Sequence, residues 1–129
     1  MPFDAHEIFA NLAEKERIKG HHSPEGRAIR TLSHALSGWS SGSLSQRDVL
    51  VMCDQAVEDW LKGRLKRSPW SIQSTAELVP AALANHWIIQ TEADRLLHGY
   101  DLRSRSGDVP AQEVEATLEF CIGLIDKHW

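Results

Sequence analysis

Residues 45–61 read Ser45-Gln46-Arg47-Asp48-Val49-Leu50-Val51-Met52-Cys53-Asp54-Gln55-Ala56-Val57-Glu58-Asp59-Trp60-Leu61, and their spacing decides the fold. Val49, Met52, Cys53, Ala56, Val57, Trp60 and Leu61 recur three and four apart, which lines one face of an α-helix and no face of a strand. Ser45, three residues ahead of Asp48, is a capping pair that starts the helix. Continued to Arg67-Ser68-Pro69, where proline forbids further turns, the helix has about 22 residues and is ~33 Å long. A helix of that length is the natural central pillar of a small domain.

The same reading extends to both sides. Toward the C-terminus, Ser74 and Glu77 form a second capping pair for a shorter segment through Leu83, kinked by Pro80. A fifth helix is expected from Ile88 to about Leu97, with Ile89, Ala93, Leu96, Leu97 and Tyr100 at compatible spacing. A polar loop, Asp101 to Asp108, precedes a last helix from near Pro110 that carries Val114, Leu118, Cys121, Ile122 and Ile125 inward. Toward the N-terminus, Gly38 to Ser43 reads as a Gly/Ser loop broken only by Trp39. Before it, Ser23 as N-cap and Pro24 at the first helical position open a helix carrying Ile29, Leu32 and Leu36. The first helix is expected over residues 3–18, with Ala5, Ile8, Phe9, Leu12 and Ala13 on one face and Gly20-His21-His22 ending it. No Val/Ile/Thr-rich alternating run of strand length occurs. Short connections between amphipathic helices imply an all-α, up-and-down antiparallel bundle of five or six helices, one domain over residues 1–129.

At 42% hydrophobic and 25% charged residues, the chain has the balance of a folded domain rather than of a disordered one. Its net charge of −4 gives no global field toward nucleic acid or an anionic surface, so such a partner would need a local patch. The longest stretch free of charged or strongly polar residues, Leu78 to Ala84, contains a proline and falls far short of the ~20 residues that span a bilayer. No membrane partner is therefore expected. The start Met1-Pro2-Phe3-Asp4 lacks a basic segment followed by an apolar one, so the expected location is the cytoplasm. Cys53 and Cys121 both fall on apolar stripes, which reads as buried free thiols, with an inter-helix disulfide as the alternative. Of five tryptophans, Trp39, Trp60, Trp70, Trp87 and Trp129, three lie in expected loops or at the chain end; they either cover the bundle's ends or, at Trp39 or Trp70, belong to a binding surface.

Several patterns look chemical and have plainer readings. Gly38-Trp39-Ser40-Ser41-Gly42 matches the nucleophile-elbow pattern by letter, but that elbow needs a strand before it and a sheet beneath it. His6, His21, His22 and His34 do not have the spacing of a metal site, and His6-Glu7 lacks the second histidine of a zinc protease, so no metal and no cofactor are expected. Lys62-Gly63-Arg64-Leu65-Lys66-Arg67 holds four cations in six residues. They complement a helix C-terminus, or they contact phosphates, with Arg103 and Arg105 extending the patch if the fold brings them close.

The strongest candidate site is Asp94-Arg95-Leu96-Leu97-His98-Gly99-Tyr100. On a helix Asp94 lies four residues and Arg95 three residues from His98, so a carboxylate and a guanidinium flank one imidazole. His98 can exchange a proton near neutral pH, Asp94 can orient it, and Arg95 can grip a phosphate with two parallel hydrogen bonds. Plain surface charges and a helix end are the alternative reading.

Those residues, with Ala56-Val57-Glu58-Asp59-Trp60-Leu61-Lys62 and Leu83-Ala84-Asn85-His86-Trp87-Ile88 before them and a final amphipathic helix after, resemble the HEPN superfamily of small helical bundles. The resemblance covers roughly residues 45–129. It implies a homodimer and, in many members, a metal-independent RNA endonuclease, often a toxin paired with a nucleotidyltransferase antitoxin. His98 matches the family histidine, Tyr100 the tyrosine and Asp94 the polar residue, while the arginine position falls on Ala93 and the nearest guanidinium is Arg95. The resemblance further implies His98, Arg95 and Asp94 as catalytic residues and Tyr100 as a binding or nucleotidylated residue; on the phosphate-contacting reading of the basic run, Lys62, Arg64, Lys66, Arg67 and Arg103 are binding residues. The alternative is a catalytically silent module that dimerises and binds a partner protein or a nucleotide.

Overall fold

Capping chemistry places the first long helix of the computed structural model, which describes residues 5–20, 23–68, 70–104 and 109–128. Ser23 accepts from the Gly26 N–H at 2.9 Å, Pro24 costs no hydrogen bond at the first position, and α2 runs Pro24–Ser41. Ahead of it lies α1, Ala5–Lys19. Ser45 accepts from the Asp48 N–H at 3.1 Å to open α3, Gln46–Arg64. Ser74 and Glu77 form the expected capping box for α4, Thr75–Ala84. The last two helices are α5, Gln90–Arg103, and α6, Ala111–Lys127. All regular structure among the described residues is helical, and these residues form a six-helix bundle.

Its core runs along α3. Trp60, Val49, Leu50, Ala56 and Leu61 are essentially inaccessible, and they meet Ile29, Leu32 and Leu36 of α2, Leu78 and Val79 of α4, and Leu118 and Ile125 of α6 in one apolar cluster. Burying a Leu or Ile of this kind contributes about 1.5–3 kcal/mol. α2 and α3 are antiparallel and close: a Cβ on Gly63 would come within 2.5 Å of Pro24 Cβ, so only glycine lets the end of α3 pass the start of α2. Thr75 and Asp54 line one cavity in mid-bundle, while Trp87, past the end of α4, reaches Arg64 at the end of α3. Residues 65–68 and 70–74 therefore run back along α3, and α4 lies beside it in the same direction.

Several expected boundaries move. Gly38 to Ser41 is helical rather than loop, because packing carries α2 on to Gly42, whose φ of 74° supplies the left-handed stop. α3 has 19 residues and ends at Arg64, not at Arg67. There the Arg67 N–H reaches back to the Lys62 carbonyl at 2.8 Å, with Lys66 at φ 56°. α4 stops the same way, Trp87 N–H to Ala82 carbonyl at 3.0 Å, with His86 at φ 62°. α5 continues through Asp101, Leu102 and Arg103 where a loop was expected. It buries Ala93, Leu96 and Leu102, leaving Ile89 and Leu97 exposed, and Ala13 of α1 is exposed too. The expected contacts of His21, His22, Arg105 and Trp129, and the side chains of Ala5, His6 and Phe9, lie outside the described residues. Cys53 and Cys121 are free and buried. No helix among the described residues is long and apolar enough to cross a membrane.

Candidate functional site

α5 and α6 cross as antiparallel neighbours, and that crossing puts three residues of α5 against α6. His98 Nε2 lies 3.2 Å from Glu113 Oε2, Gly99 packs by Thr117, and the Arg95 guanidinium lies 5.9 Å from the centre of the Phe120 ring. Arg95 and His98, one turn apart, thus share the α6-facing side of α5. The side chains of His98 and Glu113 are 38% and 42% exposed, so a solute can reach the pair.

Asp94 takes no part in this contact. It is exposed and accepts from Gln90 Nε2 at 2.9 Å, so the carboxylate beside His98 is supplied by α6 and not by the i, i−4 neighbour. Glu113 was invisible in the sequence, because a partner 15 residues away across a loop leaves no local spacing signal. Ala93 is 1% exposed and belongs to the core.

Behind Arg95 a narrow cavity is lined by Cys53, Asp54, Thr75, Gly99, Tyr100 and Cys121, among others, with room of about 10 Å³, roughly one water. Asp54 Oδ2 lies 3.2 Å from Arg103 Nε, and the Arg103 guanidinium sits 4.3 Å over the Tyr100 ring. Burial pushes the Asp54 carboxyl above its ordinary value, and Thr75 and Arg103 offset part of that rise. Tyr100 is therefore held as a stacked, half-buried ring. Against the other wall lie the buried thiols of Cys53 and Cys121; the neighbouring Cys121 and burial together hold the Cys53 thiol well above its usual range.

The basic run does not act as one patch. Lys62 is buried and donates to Glu58 Oε1 and to the Ser71 carbonyl, both at 2.9 Å. Arg64 is sandwiched between the Trp60 and Trp87 rings, 5.6 Å from each centre, and donates to the His128 carbonyl. Lys66 and Arg67 are exposed, Arg67 donating to Gln73 at 2.9 Å. Arg103 stands apart from them at Asp54. Ser40 of the elbow-like pattern is an exposed residue of α2, with no strand before it. Among the described residues, no group of three His, Cys, Asp or Glu side chains is placed to hold a metal ion.

No protein-family model, curated protein or solved structure matches the chain.

Proposed function

We propose that the chain is a HEPN-like, metal-independent RNA endonuclease of toxin type, with His98 as its proton-transfer group. The observation that carries this reading is the half-exposed His98–Glu113 contact with Arg95 on the same side of α5. His98 takes the proton from a ribose 2′-OH, which attacks the adjacent phosphorus. The 2′-O–P bond forms, the P–O5′ bond breaks, the leaving 5′ oxygen takes a proton from solvent, and the products are a 2′,3′-cyclic phosphate and a 5′-OH end. Glu113 orients the imidazole, and Arg95 counters the charge that develops on the phosphoryl oxygens. A second copy of the chain facing this side of α5 and α6 would turn an open pair into a groove, and a nucleotidyltransferase antitoxin is the partner that the family reading proposes.

Purified protein incubated with structured RNA in chelator tests this. Wild type is expected to cut, and His98→Ala and Arg95→Ala to lose cleavage with helicity unchanged. Cutting by His98→Ala at the wild-type rate ends the enzyme reading. One observation favours a silent module: buried Ala93 leaves the family's phosphate-gripping position without a guanidinium. On that reading the chain binds a partner protein or a nucleotide, RNA survives wild-type protein, and Tyr100 gains a nucleotide on co-expression with the partner, detected as a rise in intact mass.

A further inference from the structure

The segment between α3 and α4 presents aromatic, aliphatic and cationic side chains that the proposed chemistry does not use. Ser71 faces inward, its carbonyl held by Lys62 Nζ at 2.9 Å and its hydroxyl buried. Its neighbours Trp70 and Ile72 point outward, 88% and 99% exposed. A turn fixes the presentation: the Ser71 N–H reaches the Ser68 carbonyl at 3.0 Å, and the Trp70 N–H reaches Ser68 Oγ at 3.2 Å. From Lys62 to Ala76 the sequence contains no Asp or Glu, and the exposed cations Lys66 and Arg67 lead directly into the turn. In a chain of net charge −4 this is the local positive strip.

We propose that this strip docks single-stranded nucleic acid, with a base stacked on Trp70, the next nucleotide resting on Ile72, and phosphates on Lys66 and Arg67. Magnitudes select this occupant. A stable protein interface needs about 800 Å² from each partner, and a lipid anchor needs a broad apolar face, whereas two outward side chains supply neither. A single strand needs one ring per base and a cation beside it. Lys62 contributes by pinning Ser71, as a positioning residue rather than a contact. The strip lies on the flank of α3, away from the His98–Glu113 pair, and its docking role does not depend on cleavage.

The test is fluorescence anisotropy of a labelled twelve-residue oligo-dT with the full chain at low salt. The probe lacks a 2′-OH, so its binding and the proposed cleavage fail or succeed separately. Wild type is expected to bind, Trp70→Ser to weaken binding tenfold or more, Trp70→Phe to keep most of it, and Ile18→Ser, an exposed apolar control on α1, to change nothing. The slope of log affinity against log salt should be about −1.4 for two phosphates, and should flatten when Lys66 and Arg67 are both changed to Ser. Circular dichroism confirms that each variant is folded. Absence of binding by wild type, or Trp70→Ser binding as wild type does, overturns the proposal. So does binding to phosphatidylcholine–phosphatidylglycerol vesicles that depends on Trp70 while oligo-dT is ignored.

Discussion

Two acid–imidazole contacts join α5 to α6, equal in length and opposite in character. At one end of the pair, Glu92 Oε2 lies 3.2 Å from His128 Nε2 and 3.1 Å from Lys127 Nζ, while Glu92 Oε1 accepts from the Ile89 N–H at 3.0 Å. Its side chain is 8% exposed. At the other end, Glu113 and His98 also stand 3.2 Å apart, with solvent around both. A carboxylate surrounded by three donors and shut off from water has no proton to trade with a solute, so it clamps. The open pair costs little to hold and stays available. Residue type does not separate the two ends; burial and the number of partners do.

The largest expected effect tests the open end. His98→Ala should lower RNA cleavage at least 100-fold in a chelator-containing assay while the thermal midpoint stays at the wild-type value. A midpoint falling as far as that of the Glu92 variant would erase the distinction. Glu92→Ala should do the reverse, costing about 2 kcal/mol in urea unfolding and leaving cleavage by the folded protein intact.

This clamp also has a pH signature. Burial alone would raise Glu92, but the Ile89 N–H, Lys127 and His128 outweigh it and hold the carboxyl below its ordinary 4.5. Its contribution is complete above that value and fades as pH falls toward the lower folded pKa. Asp54 and Asp59, both raised above 3.8 by burial, act with the opposite sign, gaining stability as they protonate. Comparing Glu92→Gln with wild type between pH 5 and 3 isolates the Glu92 contribution, because only the wild type should lose it there.

Smaller effects sharpen the contrast. Glu113→Gln should cost about tenfold in cleavage and under about 0.5 kcal/mol in stability, as exposed pairs do. At the clamped end, His86→Gly should raise stability by about 0.5–1 kcal/mol without touching cleavage, since His86 holds a left-handed φ of 62° that glycine adopts freely.

Where a segment's own residues decide its conformation, the sequence was readable. Ser23, Ser45 and the Ser74–Glu77 box announced three helix starts because a cap acts within three residues. The stripe from Val49 to Leu61 likewise named the pillar and its buried face. Reading failed where tertiary packing overrides local preference: Gly38 to Ser41 is helical, and α5 buries Leu102 while exposing Leu97. The site was half legible. His98 and Arg95 were visible through their one-turn spacing, whereas Glu113, Phe120 and the Asp54–Arg103 contact depend on how separate helices dock. Asp94 was misread as His98's carboxylate for the same reason: adjacency on one helix was taken for contact, and the longer-range partner won.

The buried free thiols of Cys53 and Cys121 give the bundle a built-in reporter of its own breathing. Neither sulfur meets solvent while α3 and α6 stay docked, so a thiol reagent can modify them only during an opening. Their modification rate counts those openings one molecule at a time, without an added label, and separates excursions that part these two helices from fraying elsewhere in the chain.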